Sequence, residues 1–129
     1  MDDNLKIIIF TSVTLFFLLG CNTNENDFSE ILPLGADKIE SIEINSNQVT
    51  VTTIYGTPTT CWYYYRTERT NNDIVVTLKV FGKYDGEPCI QMLGSCIHKE
   101  KINFLSKGNK TLKFWQNDSS YLDTTITLQ

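Results

Sequence analysis

The feature that most limits what this chain can fold into is its punctuation. From Asp37 onward, short runs of Val, Ile, Thr and aromatic residues recur, each closed by Asn, Gly, Ser or Pro, at the roughly 8- to 12-residue spacing of an all-β domain. No window of about 11 residues repeats its apolar positions with a helical period. Lys38–Ile44 places Ile42 and Ile44 on one face with Ile39 out of phase, and Asn45-Ser46-Asn47 turns the chain into Val49–Tyr55. There Val49, Val51, Thr53 and Tyr55 share a face. Cys61–Arg69 and Asp73–Phe81 form a hairpin about Thr70-Asn71-Asn72, because Asn tolerates the positive φ of a tight turn. In the second run Ile74, Val76, Leu78 and Val80 face the core, opposite Val75, Thr77, Lys79 and Phe81.

Further strands are predicted at Ile90–Leu93, Ile97–Leu105, Thr111–Trp115 and Tyr121–Leu128, separated by Gly94-Ser95, Lys107-Gly108-Asn109 and Asn117-Asp118-Ser119. Seven or eight such strands predict two packed antiparallel sheets, a β-sandwich over residues 37–129, with a small closed barrel as the alternative. Apolar residues at 41% and charged residues at 20% suit a single folded core and not a disordered chain. A net charge of −4 supplies no basic field for a phosphate backbone, so nucleic acid is not an expected partner.

Ahead of this domain, Ile7–Gly20 is an uncharged, largely apolar run, shorter than the roughly 20 residues that span a bilayer and of signal-peptide length. It ends in Leu18-Leu19-Gly20-Cys21, which resembles the bacterial lipobox. That resemblance implies a signal peptide over residues 1–20, cleavage between Gly20 and Cys21, and a lipid (palmitate-type acyl chains included) on Cys21 that anchors the chain to a membrane. Residues 21–36 begin Cys21-Asn22-Thr23-Asn24-Glu25-Asn26-Asp27, a polar and acidic stretch read as a flexible tether. Position 22 is not Asp, so the inner-membrane retention signal of enteric bacteria is missing. The tract is also similar to the sorting segment of surface lipoproteins in Bacteroidetes-type bacteria. The expected location is the bacterial outer membrane, facing the periplasm or the cell surface. Cys61-Trp62, the Val-rich hairpin strand and Cys89-Ile90-Gln91 are similar to small lipoproteins of those bacteria with immunoglobulin-like sandwiches. This implies an immunoglobulin-like fold and, by itself, no activity.

Chemistry-bearing residues are few. The single histidine, His98, stands two residues from Cys96, so the pair shares a strand face and offers a thiol beside an imidazole. No third group to orient the imidazole and no oxyanion-holding segment adjoin it, so no catalytic residue is assigned. Cys89, Cys96 and His98 do not have the paired spacing of a zinc module, so neither metal nor cofactor is expected. The run Trp62-Tyr63-Tyr64-Tyr65 is the strongest hint of binding: alternation sends Trp62 and Tyr64 to one face, and Tyr63 and Tyr65 to the other. Rigid rings with polar tips grip proteins or stack on sugars, and they also fill cores. Phe114 and Trp115 carry the same two readings. Arg66, Glu68 and Arg69, and Lys99, Glu100 and Lys101, read as solvated faces. The expectation is a non-catalytic binding or structural module for a protein or a glycan. The alternatives are a protease inhibitor presenting Lys83–Pro88 and a cysteine-dependent enzyme.

Three cysteines remain after Cys21, so at most two pair within one molecule. The hairpin returns the chain to the edge where Cys61 begins, which favours Cys61 with Cys89. A turn at Gly94-Ser95 would instead bring Cys96 to Cys61, and that pairing stays open.

Overall fold

The computed structural model describes residues 28–129, so Cys21, with the lipidation and the signal peptide expected there, lies outside the described residues. Eight strands follow in chain order: β1 (Glu30–Leu34), β2 (Ala36–Asn45), β3 (Gln48–Thr57), β4 (Tyr63–Asn71), β5 (Val75–Tyr84), β6 (Gly94–Asn103), β7 (Gly108–Asn117) and β8 (Ser120–Leu128). They form two sheets, one of β1, β4, β5, β7 and β8, the other in the order β2-β3-β6. The fold is all-β and two-layered, as the alternation requires. In the larger sheet β5 is central: β4 lies along one edge, while β1 pairs with Val80–Tyr84 and β7 with Val75–Leu78 on the other. The β5–β7 pair is parallel, a departure from uniformly antiparallel pairing. No helix among the described residues is long and apolar enough to cross a membrane.

The core lies between the sheets. Val49, Val51, Thr53 and Tyr55 of β3 are all buried, as are Val76, Leu78 and Val80 of β5. Ile74 is not: it sits in the turn before β5, exposed. That turn falls two residues later than expected, because Asn71 Oδ1 accepts from the Asp73 N–H at 2.8 Å and Asn72 Oδ1 accepts from the Ile74 and Val75 N–H groups at 3.0 and 2.7 Å. These Asx contacts bend the chain after Asn71, and Asp73 takes the positive φ of 69°.

Other boundaries also move. Gly94-Ser95 opens β6 and is not a turn, and Ile90–Leu93 belongs to the connection before it. The expected flexible tether over residues 21–36 contains strand β1 and the first residue of β2. Five residues interrupted by Pro33 are too short to announce a strand, yet β1 pairs with β5 and buries Leu34. Between them Gly35 lets the chain cross from one sheet to the other. A Cβ there would stand 2.7 Å from the Gln116 carbonyl oxygen, so only glycine fits that close approach.

Cys61 and Cys89 form a disulfide with a Cα separation of 6.1 Å, the favoured pairing. Cys96 is the free cysteine among the described residues and is half-buried.

Candidate functional site

Alternation along β5 turns Thr77, Lys79, Phe81 and Lys83 away from the core, and the register sets Tyr63 beside Lys83, Arg66 beside Phe81 and Glu68 beside Lys79. A bulge between Tyr64 and Arg66 inserts one residue into β4, so Tyr65 and Arg66 both reach the outer face. On the far side Trp115 of β7 pairs with Tyr121 of β8, and Lys113 with Asp123. The outer face of the larger sheet therefore interleaves rings with cations. The Arg66 guanidinium lies 4.0 Å from the Phe81 ring centre, Lys79 Nζ 4.8 Å from Trp115 and 5.6 Å from Phe81, Lys83 Nζ 5.6 Å from Tyr65, and Lys113 Nζ 5.7 Å from Tyr121. Contacts of this kind hold flexible cations over flat rings.

The cations differ in their partners. Arg66 pairs with Glu68 at 2.7 Å, Lys83 with Asp85 at 3.6 Å and Lys113 with Asp123 at 3.9 Å. Lys79 has no carboxylate within 4.0 Å among the described residues. It borders a shallow concavity of about 340 Å³, lined with Glu68, Arg69, Thr70, Thr77, Trp115, Asp118 and Tyr121, so two carboxylates and the Arg69 guanidinium share that surface with it. A ring pair beside an unpaired ammonium suits a flat ligand that carries a negative group.

The aromatic run divides between the two faces. Tyr63 and Tyr65 are 42% and 45% exposed on the outer face. Tyr63 donates to both oxygens of Asp85 at 3.0 and 2.9 Å, and that bond raises its phenol above the ordinary range. Trp62, only 7% exposed, stacks on Tyr84 at 5.9 Å. Tyr64 points inward and lies flat on His98, with ring centres 3.7 Å apart. The four residues are thus not one binding surface. Two of them belong to a face completed by Phe81, Trp115 and Tyr121. Phe114 is core.

Between edge strands β4 and β6 lies a polar cluster. His98 Nε2 stands 2.7 Å from Glu100 Oε2, Arg69 reaches the other Glu100 oxygen and donates to the Lys101 carbonyl at 2.9 Å, and Tyr64 and Thr67 share a hydroxyl contact of 3.0 Å. Arg69 and Glu100, read above as solvated charges, instead join the two sheets. Burial pushes the Glu100 carboxyl up, but hydrogen bonds from His98 and Arg69 and the nearby guanidinium outweigh it and hold the group below its ordinary value. Cys96 shares this inner face, and burial raises its thiol. The imidazole is thus hydrogen-bonded to Glu100, no hydrogen bond joins it to Cys96, and the thiol is shifted away from the thiolate that attack requires.

A second polar knot lies at the turn before β5. Lys110, 2% exposed, donates to Ser106 Oγ at 2.8 Å, to the Asp73 carbonyl and to Asp73 Oδ2 at 3.3 Å. A serine beside a buried lysine is a pattern known from hydrolases, but here the Ser106 hydroxyl and the Lys110 ammonium are both tied to Asp73. Among the described residues no three of His, Cys, Asp and Glu come together to hold a metal ion. Lys83 and Tyr84 of the expected inhibitor loop are strand residues, and the connecting segment runs from 85 to 93.

Alternation along one strand is enough to put Lys79 and Phe81 on its outer side, whereas Trp115 and Tyr121 come beside them only through the pairing of β5 with β7 and of β7 with β8. Comparison of the chain with protein-family models, with curated proteins and with solved structures finds no match.

Proposed function

We propose that this chain is a lipoprotein of the bacterial outer membrane, anchored through a lipid on Cys21, whose sandwich is a non-catalytic glycan-binding module. The observation that carries the binding reading is the outer-face concavity, where Trp115 and Tyr121 stand beside Lys79, a lysine without a carboxylate partner. Rings on a rigid sheet stack on sugar faces with little loss of conformational freedom. The Lys79 ammonium, with no carboxylate within 4.0 Å, favours sugars bearing a carboxylate, such as uronic acids, over neutral ones, while Glu68 and Asp118 of the same concavity offer acceptors to sugar hydroxyls.

Titration calorimetry with a uronic-acid polysaccharide and a neutral polysaccharide tests this. The acidic polymer binds more tightly, Trp115→Ala weakens both by about tenfold, equivalent to about 1.4 kcal/mol of lost stacking, and Lys79→Gln removes only the preference between them. Unchanged affinity in Trp115→Ala, or binding to neither polymer, overturns the reading.

A further inference from the structure

We propose that the end of the sandwich formed by Phe28 and the 85–93 segment rests on the lipid surface, so that the protein stands with a fixed orientation on its membrane. This inference rests on the Cys21 anchor proposed above.

The strand register identifies that end. Glu30, which opens β1, pairs with Tyr84, which closes β5, and the chain then runs through residues 85–93 into Gly94 of β6. Gly86, with φ of 81°, lies against Phe28: a Cβ at Gly86 would come 3.3 Å from the Phe28 Cβ. Where the described chain enters the fold is therefore also where this segment projects. The Cys61–Cys89 disulfide fastens the segment to the β3–β4 connection, and a Cβ on Gly94 would stand 2.7 Å from Thr57 Oγ1, so its far end is held as well.

On this tied loop Ile90, Met92 and Leu93 are 72%, 58% and 85% exposed, and Phe28 beside it is 63% exposed. Ile44, Ile74 and Leu105 are exposed at the opposite end, but there they are spread over separate turns, whereas these four gather on one projecting loop and the residue beside it, and such a cluster marks a surface that meets something apolar. The sequence supplies the partner. Six residues separate Cys21 from Phe28, seven Cα steps that span at most about 25 Å at the reach of an extended chain. A lipid on Cys21 therefore keeps this end of the domain within about 25 Å of the bilayer. Asp85 and Glu87 lie on the same segment, so the contact is apolar in origin and anionic lipid does not strengthen it.

The test uses the full-length lipoprotein, purified from bacterial membranes and reconstituted into phosphatidylcholine vesicles containing a brominated lipid. A fluorophore is placed on Leu93→Cys or on Leu105→Cys, each in a Cys96→Ser background. Leu105 is 92% exposed beside the Asp73 turn at the opposite end, so neither substitution disturbs packing. Parallel growth with a fatty-acid analogue, compared with Cys21→Ala, reports the anchor. Several-fold stronger bromine quenching at position 93 than at 105 is the expected result, unchanged when phosphatidylglycerol is added. Equal quenching at both positions in a fatty-acid-labelled protein overturns the orientation alone. Undiminished fatty-acid labelling in Cys21→Ala, or none in either protein, overturns the anchor and this inference with it.

Discussion

Asp73 combines backbone and side-chain roles in one position. It adopts a left-handed φ that Asp and Asn accept more readily than other non-glycine residues. Its carboxylate accepts from the Leu105 N–H at 2.6 Å, from the Ser106 hydroxyl and from Lys110. The Ser106 and Leu105 bonds, with the Lys110 charge adding to them, hold its pKa at about 2. A carboxyl held below its unfolded value of about 3.9 contributes stability that is complete above that pH and lost as pH falls through the folded value. Asp73→Asn keeps the backbone preference and removes the charge. It is expected to melt below the parent at pH 6, with the gap closing towards pH 2. Melting curves across that range check this, and a gap independent of pH would place the effect in the turn and not in the carboxylate. Nothing in the local sequence marks Lys110 as buried, although it shares the inward phase of Leu112 and Phe114.

Strand phase, at the scale of the element, was readable wherever a run stayed regular. The inward set of β5 follows directly from alternation, and Val76→Asp, placing an unpaired carboxylate where Val76 is fully buried, is expected to cost several kcal/mol of a total near 5–15. A cooperative urea transition at the parent's midpoint would contradict that. In β2 the apparent conflict of phase between Ile39 and Ile42 is resolved by two bulges, between Ala36 and Lys38 and between Ile39 and Ser41. Counting through them sets Ala36, Ile39, Ile42 and Ile44 opposite Tyr55, Thr53, Val51 and Val49, in one phase, with Ala36, Ile39 and Ile42 packed on the core and Ile44 exposed at the strand's end. Each bulge adds a residue to one strand only, so a period of two read from the sequence fails at that point. In β4 the same device carries Arg66 out beside Tyr65.

For the whole molecule, the two sheets are held together by the core, by the Arg69–Glu100 contact between edge strands, and by the Cys61–Cys89 bridge at the end where β4 starts and β6 begins. With a sequence separation of 28, that bridge limits the unfolded chain and contributes roughly 2 to 4 kcal/mol. Cys61→Ser/Cys89→Ser should lose that amount in denaturant titration while keeping the same far-ultraviolet spectrum. Full retention of stability would show that the bridge is not closed in solution. Its loss also frees the 85–93 segment.

The amino-acid sequence by itself determined the all-β class, the inward faces of β3 and β5, and the outward set of Lys79 and Phe81. Each follows from interactions between near neighbours along one strand, where side chains alternate and turn residues set the limits. It also favoured Cys61 with Cys89, through the hairpin that brings them to one edge. Only the tertiary structure decided that β7 runs parallel beside β5, bringing Trp115 and Tyr121 to the outer face next to Lys79. It alone decided that Arg69 meets Glu100 across the sandwich and that β1 is a strand. These depend on which strands become neighbours, and partners far apart in sequence leave no mark in the local pattern of either one.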